Sequence, residues 1–223
     1  MAKRDGRDPL LPAESMARLQ TARLAPAGPG EPEVRDRLLG ALRAAIGGER
    51  VESRPDELNP FRRDFLQTTR GVPADLPAGE PPLAVVRPES TEQVAAVVRV
   101  LGELHVPLVE FGGGTGLMGG IRLVQPGVVL DTRSLNRIIA ISAADRTAQV
   151  QAGVVLADLA AAAAPHGMIV GHDPWTFPIA TAGGTLSTNG LGYMGNRYGS
   201  MGDQVLGVTA VLGDGTVIST RPA

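Results

Sequence analysis

The sequence predicts a mixed α/β (α+β) fold in two parts, and three observations carry that prediction. Strand, helix and strand patterns follow one another over residues 83–111. A run of glycines, "GGGTG", begins where the second of those strands ends. Beyond it the pattern turns β-rich, in short runs separated by turn residues.

The elements follow in chain order. Val34, Leu38, Leu42 and Ile46 recur four apart, the spacing of an amphipathic helix, and Gly47 and Gly48 end it. The proline- and charge-rich "ESRPDELNPFRRDFLQTTRGVPADLPAGEPP" reads as an extended connection, its arginines as a solvated face. "LAVVRP" is a short buried strand. "STEQVAAVVRVLGEL" is a helix opened by Ser90 as cap with Gln93 three residues later. "VPLVEF" is the second strand, which the crossover makes parallel to the first. "GVVLDT", "NRIIAIS" and "TAQVQAG" are further strands, with "SAADRT" as a hairpin loop. "VLADLAAAAAPHG" is a helix ending at Pro165 and Gly167, and a long glycine-rich loop runs from Gly171 to about Gly202. "QVLGVTAVL" and "TVIST" form a hairpin around Gly213, Asp214 and Gly215. Residues 1–32 are expected as a disordered arm and 33–80 as helix plus connection. Residues 81–223 form the main domain, βαβ over about 81–120 and β-rich over about 125–223.

Composition removes several chemistries. The 223 residues contain no cysteine, which excludes disulfides, thiolate metal sites and a Cys nucleophile. Lys3 is the single lysine, so neither a Walker A loop nor a Schiff base is available. A net charge of -2 gives no field for nucleic acid or an anionic membrane. No segment is apolar enough to span a bilayer, and the first twenty residues lack a secretory h-region; a cytoplasmic location is the expectation. Twenty of the 29 glycines lie at or after Gly112, so close backbone approach belongs to the second half.

Gly114, Gly116 and Gly119 formally match G-x-G-x-x-G, the dinucleotide fingerprint of Rossmann folds. That fingerprint needs a helix directly after the glycines to receive the pyrophosphate. Here "IRLVQPGVVLD" follows, and Pro126, Gly127 and a β-branched run forbid one. What remains is a loop whose successive N–H groups can form an anion-binding nest, with Thr115 as a hydroxyl donor; the alternative is a plain tight turn. The second stretch, "HDPWTFPIATAGGTLSTNGLGYMGNRYG", adds a rigid Asp-Pro, several hydroxyls and the Gly183-Gly184 pair. Trp175, Phe177, Ile179 and Leu186 within it are apolar and expected to be buried. Two such loops can grip one extended, anionic, partly aromatic ligand.

These stretches in this order resemble the FAD-binding domain of the vanillyl-alcohol oxidase and p-cresol methylhydroxylase type. Within it the sequence is most similar to the FAD subunits of D-lactate dehydrogenase and glycolate oxidase. The resemblance runs from about Leu38 onward. It is carried by "RPESTEQVAAVVRVLGELHVPLVEFGGGTGLMGG", "VVLDTRSLNRI", "AQVQAGVVLADLAAAAAPHGM", "DPWTFPIATAGGTLSTNGLG" and "RYGSMGDQVLGVTAVLGDGTVI". It implies two α/β subdomains with FAD stretched between them. It implies that Gly112, Gly113, Gly114, Thr115 and Gly116 wrap the FAD pyrophosphate. Pro174, Thr176, Thr181, Gly183, Gly184 and Asn189 would line the second side. No His stands in the first glycine loop and no Cys exists, so FAD is expected to be held non-covalently.

In that family a base takes the hydroxyl proton of a small-molecule 2-hydroxy acid while hydride passes to flavin. Its members continue past the "GDGTVIST" hairpin into a further strand and a substrate-binding cap domain, and neither is within these residues. A partner chain or a missing C-terminal domain is therefore expected to complete the site, and no residue here is assigned as the base. Two alternatives stay open. "GGTLSTNGLGYMGNRYG" also suggests an alkyl-dihydroxyacetone-phosphate synthase relative, whose FAD serves a non-redox exchange, and the chain also fits a non-catalytic flavin-binding subunit.

The remaining polar residues have plainer readings. His105 and His166 sit at helix ends, His172 is expected at the surface or packed behind the site, and Asp131 and Asp203 cap. Trp175 is expected in the core. His166, His172 and Asp173 do not make a metal site.

Overall fold

The computed structural model describes residues 31–65 and 79–220. Of the arm expected over residues 1–32, residues 1–30 lie outside the described residues, as does the middle of the expected connection, 66–78, while Pro32 already belongs to a helix.

Helix α1, Pro32–Ile46, starts at a proline whose fixed φ suits the first turn and stops at Gly47, φ 94°. Its Leu38, Leu39, Leu42 and Ile46 are buried, which adds Leu39 to the expected stripe while Val34 stays half-buried. The stretch expected as an extended connection is partly ordered into helical turns. Strand β1, Val51–Glu52, leads to helix α2, Pro55–Leu58, and a 3-10 turn over Asn59–Arg62. Pro55 and Pro60 open those turns rather than break them, and Leu58 and Phe61 supply the apolar residues that fix them.

Strand β2, Ala84–Val86, helix α3, Thr91–Glu103, and strand β3, Leu108–Phe111, form the predicted crossover. Ser90 caps α3 by accepting the Gln93 N–H at 3.3 Å, and Gln93 returns to the Glu89 N–H at 2.8 Å. Strands β2 and β3 are parallel but not neighbours. Strand β4, Val128–Asp131, lies between them and pairs in parallel with both, giving the order β1-β2-β4-β3. Strand β4, expected in the β-rich part after residue 125, thus belongs to the same sheet as β2 and β3. The all-buried run VVLD explains why: a strand covered on both faces belongs in the centre of a parallel sheet.

Side-chain alternation splits the sheet's two faces. Ala84, Val86, Val128 and Leu130 join α1 and α3 in one core. Val85, Val129 and Phe111 join Leu58, Phe61 and Leu123 in the other.

Beyond Asp131 the structure is looser. Strands β5, Ile138–Ser142, and β6, Thr147–Val150, make the predicted hairpin, with a register shift between Ile138 and Ala140. Helix α4, Leu156–Ala163, gives way to a 3-10 turn at Pro165 and a left-handed Gly167. The stretch expected as one long loop contains helices α5, Ala182–Ser187, and α6, Gly195–Tyr198. Strands β7, Thr209–Val211, and β8, Val217–Ser219, form the last hairpin around Gly215.

Candidate functional site: a glycine cradle at the carboxyl end of the sheet

Strands β3 and β4 end side by side at Phe111 and Asp131, where parallel sheets place their ligands. Thr132 donates its hydroxyl to the Phe111 carbonyl at 3.0 Å and ties the two ends together. The chain leaves β3 directly into Gly112.

The structure brings the two glycine-rich stretches into contact at this point. A Cβ on Gly112 would overlap the Thr181 hydroxyl and lie 3.8 Å from the Gly184 Cα. A Cβ on Gly113 would overlap the Ile179 carbonyl oxygen and reach Ala180 Cα at 3.2 Å. Neither obstacle is the end of a flexible side chain, so glycine is required at 113 on steric grounds. Gly114 adopts φ 65° above the Phe111 ring, where a Cβ would sit 2.7 Å from the ring edge.

The second wall is held from behind. Leu156 N–H donates to Ala180 O at 2.9 Å, Ala182 N–H to Val154 O at 2.8 Å, and Gly183 N–H to Ala152 O at 2.7 Å. Gly183 packs against Ala152, with space for no Cβ. The buried Thr176 turns the chain, its carbonyl accepting the N–H groups of Ile179 and Ala180. Pro174 accepts the Phe177 N–H at 2.9 Å one turn earlier.

Polar groups are left over where the stretches meet. Among the described residues, the N–H groups of Gly113, Gly114, Thr115 and Gly116 donate no hydrogen bond. Thr181 is 1% exposed, and its buried hydroxyl also has no partner there. Buried donors without acceptors are costly and uncommon in native proteins. A loop of unpaired N–H groups beside an unpaired hydroxyl, lined by glycines, suits an anionic group lying along the backbone.

Other expected residues fall elsewhere. Asn189, in a left-handed turn at φ 46°, accepts the Gly202 N–H at 2.9 Å and so fastens the 200–202 turn. That bond uses one lone pair of its side-chain oxygen and leaves the side-chain NH2 without a partner among the described residues. Trp175 is 58% exposed rather than core, against Phe65 at 5.7 Å between ring centroids, and Ile179 is 44% exposed. Both lie at the surface instead of filling the interior, Ile179 beside Gly113. His172 is 1% exposed, its Nδ1 without a partner among the described residues and its ring against Gly190. Burial pushes its pKa below the usual 6.5, with the neighbouring Asp173 acting the other way. His105 lies just past α3 at φ 52°, and the exposed His166 ends the 3-10 turn after α4. Asp203 accepts the Ser200 N–H and hydroxyl, each at 2.7 Å, as a capping acid would.

Two groups beside the cradle make contacts that the sequence does not mark. The buried Asp131 caps as expected, but it also binds Arg133 through both carboxylate oxygens at 2.8 Å and Arg87 at 3.4 Å. The carboxylate raises the Arg133 guanidinium above its usual pKa, and that guanidinium lies 5.0 Å from the Phe111 ring centroid. Asp64 reaches the far limb of the loop and accepts the Gly119 N–H at 2.9 Å. Nothing about the acid in "RRDF" marks it in advance, because the contact spans 55 residues.

Among the described residues no three His, Asp or Glu side chains stand together as a metal site, and no helix is long and apolar enough to cross a membrane. Concave surface is also found between α3 and the β7–β8 hairpin, lined by Val98, Leu101, Val211 and Leu212. It has no glycine cradle; Glu110 is among its lining residues, and Arg99, Glu103 and Asp214 line the adjoining surface.

A sheet whose β2, β4 and β3 run parallel with β1 antiparallel at its edge, a glycine loop that opens no helix and a second glycine strip packed against it define a dinucleotide-binding domain outside the Rossmann class. The comparisons with known proteins agree. Residues 82–221 match the family described as "FAD binding domain", and the chain belongs to that family, whose cofactor is FAD. The chain is 35% identical over 139 residues to the glycolate oxidase subunit GlcD of Bacillus subtilis (strain 168), covering 62% of this chain and 30% of that protein. In fold it is similar to an alkyldihydroxyacetonephosphate synthase, TM-score 0.76 at 22% identity over 90% of this chain and 37% of that one. It is likewise similar to p-cresol methylhydroxylase, TM-score 0.69 at 23% identity over 86% and 36%. The chain thus spans about a third of the length of the proteins it matches.

Proposed function

We propose that the loop Gly112–Gly116 holds the diphosphate of FAD non-covalently, and that Pro174, Thr176, Thr181, Gly183 and Gly184 form the opposite wall. One observation carries this reading: the N–H groups of Gly113 to Gly116 donate no hydrogen bond among the described residues, in a loop whose first glycine, Gly112, lies against the buried, unpaired Thr181 hydroxyl. Asn189 belongs to the same wall, its side-chain oxygen fastening the 200–202 turn and its NH2 left for the cofactor.

Within a longer flavoenzyme, the same reading makes this domain the cofactor half of an oxidoreductase acting on a small 2-hydroxy acid. The likeness to a glycolate oxidase subunit supports that substrate class. The likeness to alkyldihydroxyacetonephosphate synthase, at 22% identity, speaks for fold alone. FAD, when bound, supplies an acceptor for hydride from the substrate α-carbon. This chain's residues bind and orient it, and exclude water around its diphosphate. The group that takes the substrate's hydroxyl proton, and the surface that shapes the substrate pocket, belong in this reading to a further domain or a partner chain. A cytoplasmic location is part of the same proposal.

The test is the visible absorbance retained after incubation with excess FAD and desalting. The wild-type chain is expected to keep a flavin spectrum. Gly113→Val is expected to lose it, with affinity down about 100-fold because the new side chain meets backbone that cannot yield. A folded Gly113→Val chain that keeps its flavin contradicts the reading.

A further inference from the structure

We infer that Asp64 is a positioning residue for the diphosphate cradle, a role that rests on the reading of the glycine loop given above. It lies before residue 82, where the match to the FAD-binding family begins.

The Asp64 Oδ2 accepts the Gly119 N–H at 2.9 Å, and a Cβ on Gly116 would lie 3.0 Å from that same oxygen. One carboxylate therefore sits against both limbs of the loop's return. The far end of the loop already has an anion, part of this chain. The near end, Gly113 to Gly116, has N–H groups with no acceptor among the described residues. The loop is divided between an internal anion and a place for an external one.

Asp64 is itself well anchored. Three residues earlier, Phe61 packs edge-on against Phe111, with centroids 4.8 Å apart and planes at 64°. Phe111 in turn lies under Gly114. The segment 55–65 thus braces the glycine loop twice, through an aromatic pair below its first limb and a carboxylate at its second. A charge-assisted N–H···O⁻ bond is stronger than a neutral one, so it can hold a loop that has few other contacts. A loop ordered beforehand loses less freedom when ligand arrives, which raises affinity without a new ligand contact.

A carboxylate also repels a diphosphate. The benefit must then come from geometry, and this fixes the sign of the test. Asp64→Ala removes the acceptor and frees the loop, whereas Asp64→Asn keeps a side-chain oxygen for Gly119 and discards the charge.

The experiment measures FAD and ADP affinity of the full chain by titration, alongside hydrogen exchange of the Gly119 amide without ligand. Asp64→Ala is expected to weaken FAD and ADP equally, by about tenfold, and to lose Gly119 protection. Asp64→Asn is expected to keep that protection and bind both at least as tightly as wild type. Unchanged or tighter binding in Asp64→Ala overturns the proposal, as does Asp64→Asn binding no better than Asp64→Ala. Should the wild-type chain bind neither FAD nor ADP, the cradle reading itself falls and takes this role with it. Gly119 protection in the unliganded chain would still show whether Asp64 clamps the loop.

Discussion

The sheet β1-β2-β4-β3 and the region after Asp131 differ in how they treat apolar surface. In the first, Leu38, Leu42, Val85, Val86, Val97 and Val128 are completely buried, and both faces of the sheet are covered by the chain's own elements. In the second, the β5–β6 and β7–β8 hairpins form separate two-stranded sheets. Leu191, Leu206, Ile169 and Tyr193 there are each more than 60% exposed. A two-stranded hairpin is marginal alone, and exposed apolar area in this quantity marks surface that works against other surface. The first region covers its own apolar surface, and the second leaves more of its own exposed. The cradle sits on the seam, its glycine loop on the scaffold and its second wall on the looser part.

That contrast can be broken most forcefully in the scaffold. Leu42→Ala, at a fully buried position between α1 and the sheet, is expected to cost about 2–5 kcal/mol in chemical denaturation. Leu206→Ser, 63% exposed, is expected to change stability by no more than about 0.5 kcal/mol. Comparable losses from the two would erase the distinction between regions.

At the seam the effects should separate. Thr181→Val keeps the side chain's shape and removes a hydroxyl that has no partner among the described residues. Stability should hold or rise by about 1 kcal/mol, since a buried unpaired donor is lost, while FAD affinity falls severalfold. A destabilised Thr181→Val chain with unaltered FAD binding would show the hydroxyl serving the fold instead.

The smallest effect concerns His172. Its folded pKa lies below the unfolded 6.5, so the unfolded chain binds the proton more readily. The stability tied to the neutral imidazole is present above pH 6.5 and lost as pH falls below it. Melting temperature should drop by a few degrees between pH 7 and pH 5, and by less in His172→Gln. Identical drops in both chains would remove His172 from the acid response.

Much of the scaffold was legible because it follows periodicity: the four-residue spacing of Leu38, Leu42 and Ile46, the Ser90 cap and the glycine pair ending α1. The insertion of β4 between β2 and β3 was not, since local pattern shows a buried strand but not its neighbours. Helix α5 was hidden because Gly183 and Gly184 lower helix propensity, and tertiary packing on Ala152 overrides it. Exclusion of the Rossmann fingerprint needed only Pro126 and Gly127, whereas the meeting of Gly113 with Ile179 needed the fold. Exposure of Trp175 and Ile179 ran against hydrophobicity, as happens where apolar side chains line a ligand or partner surface. Asp64 was out of reach altogether.

The central claim is that the two glycine-rich stretches form one site for a diphosphate. Backbone amide NMR of the 15N-labelled chain titrated with FAD tests it most directly. The account predicts that the amides of Gly113, Gly114, Thr115 and Gly116 shift together with Thr181 and Gly184, while Val211 and Val217 of the last hairpin stay still. Shifts concentrated at the hairpin and α3, with the glycine loop unmoved, would contradict it.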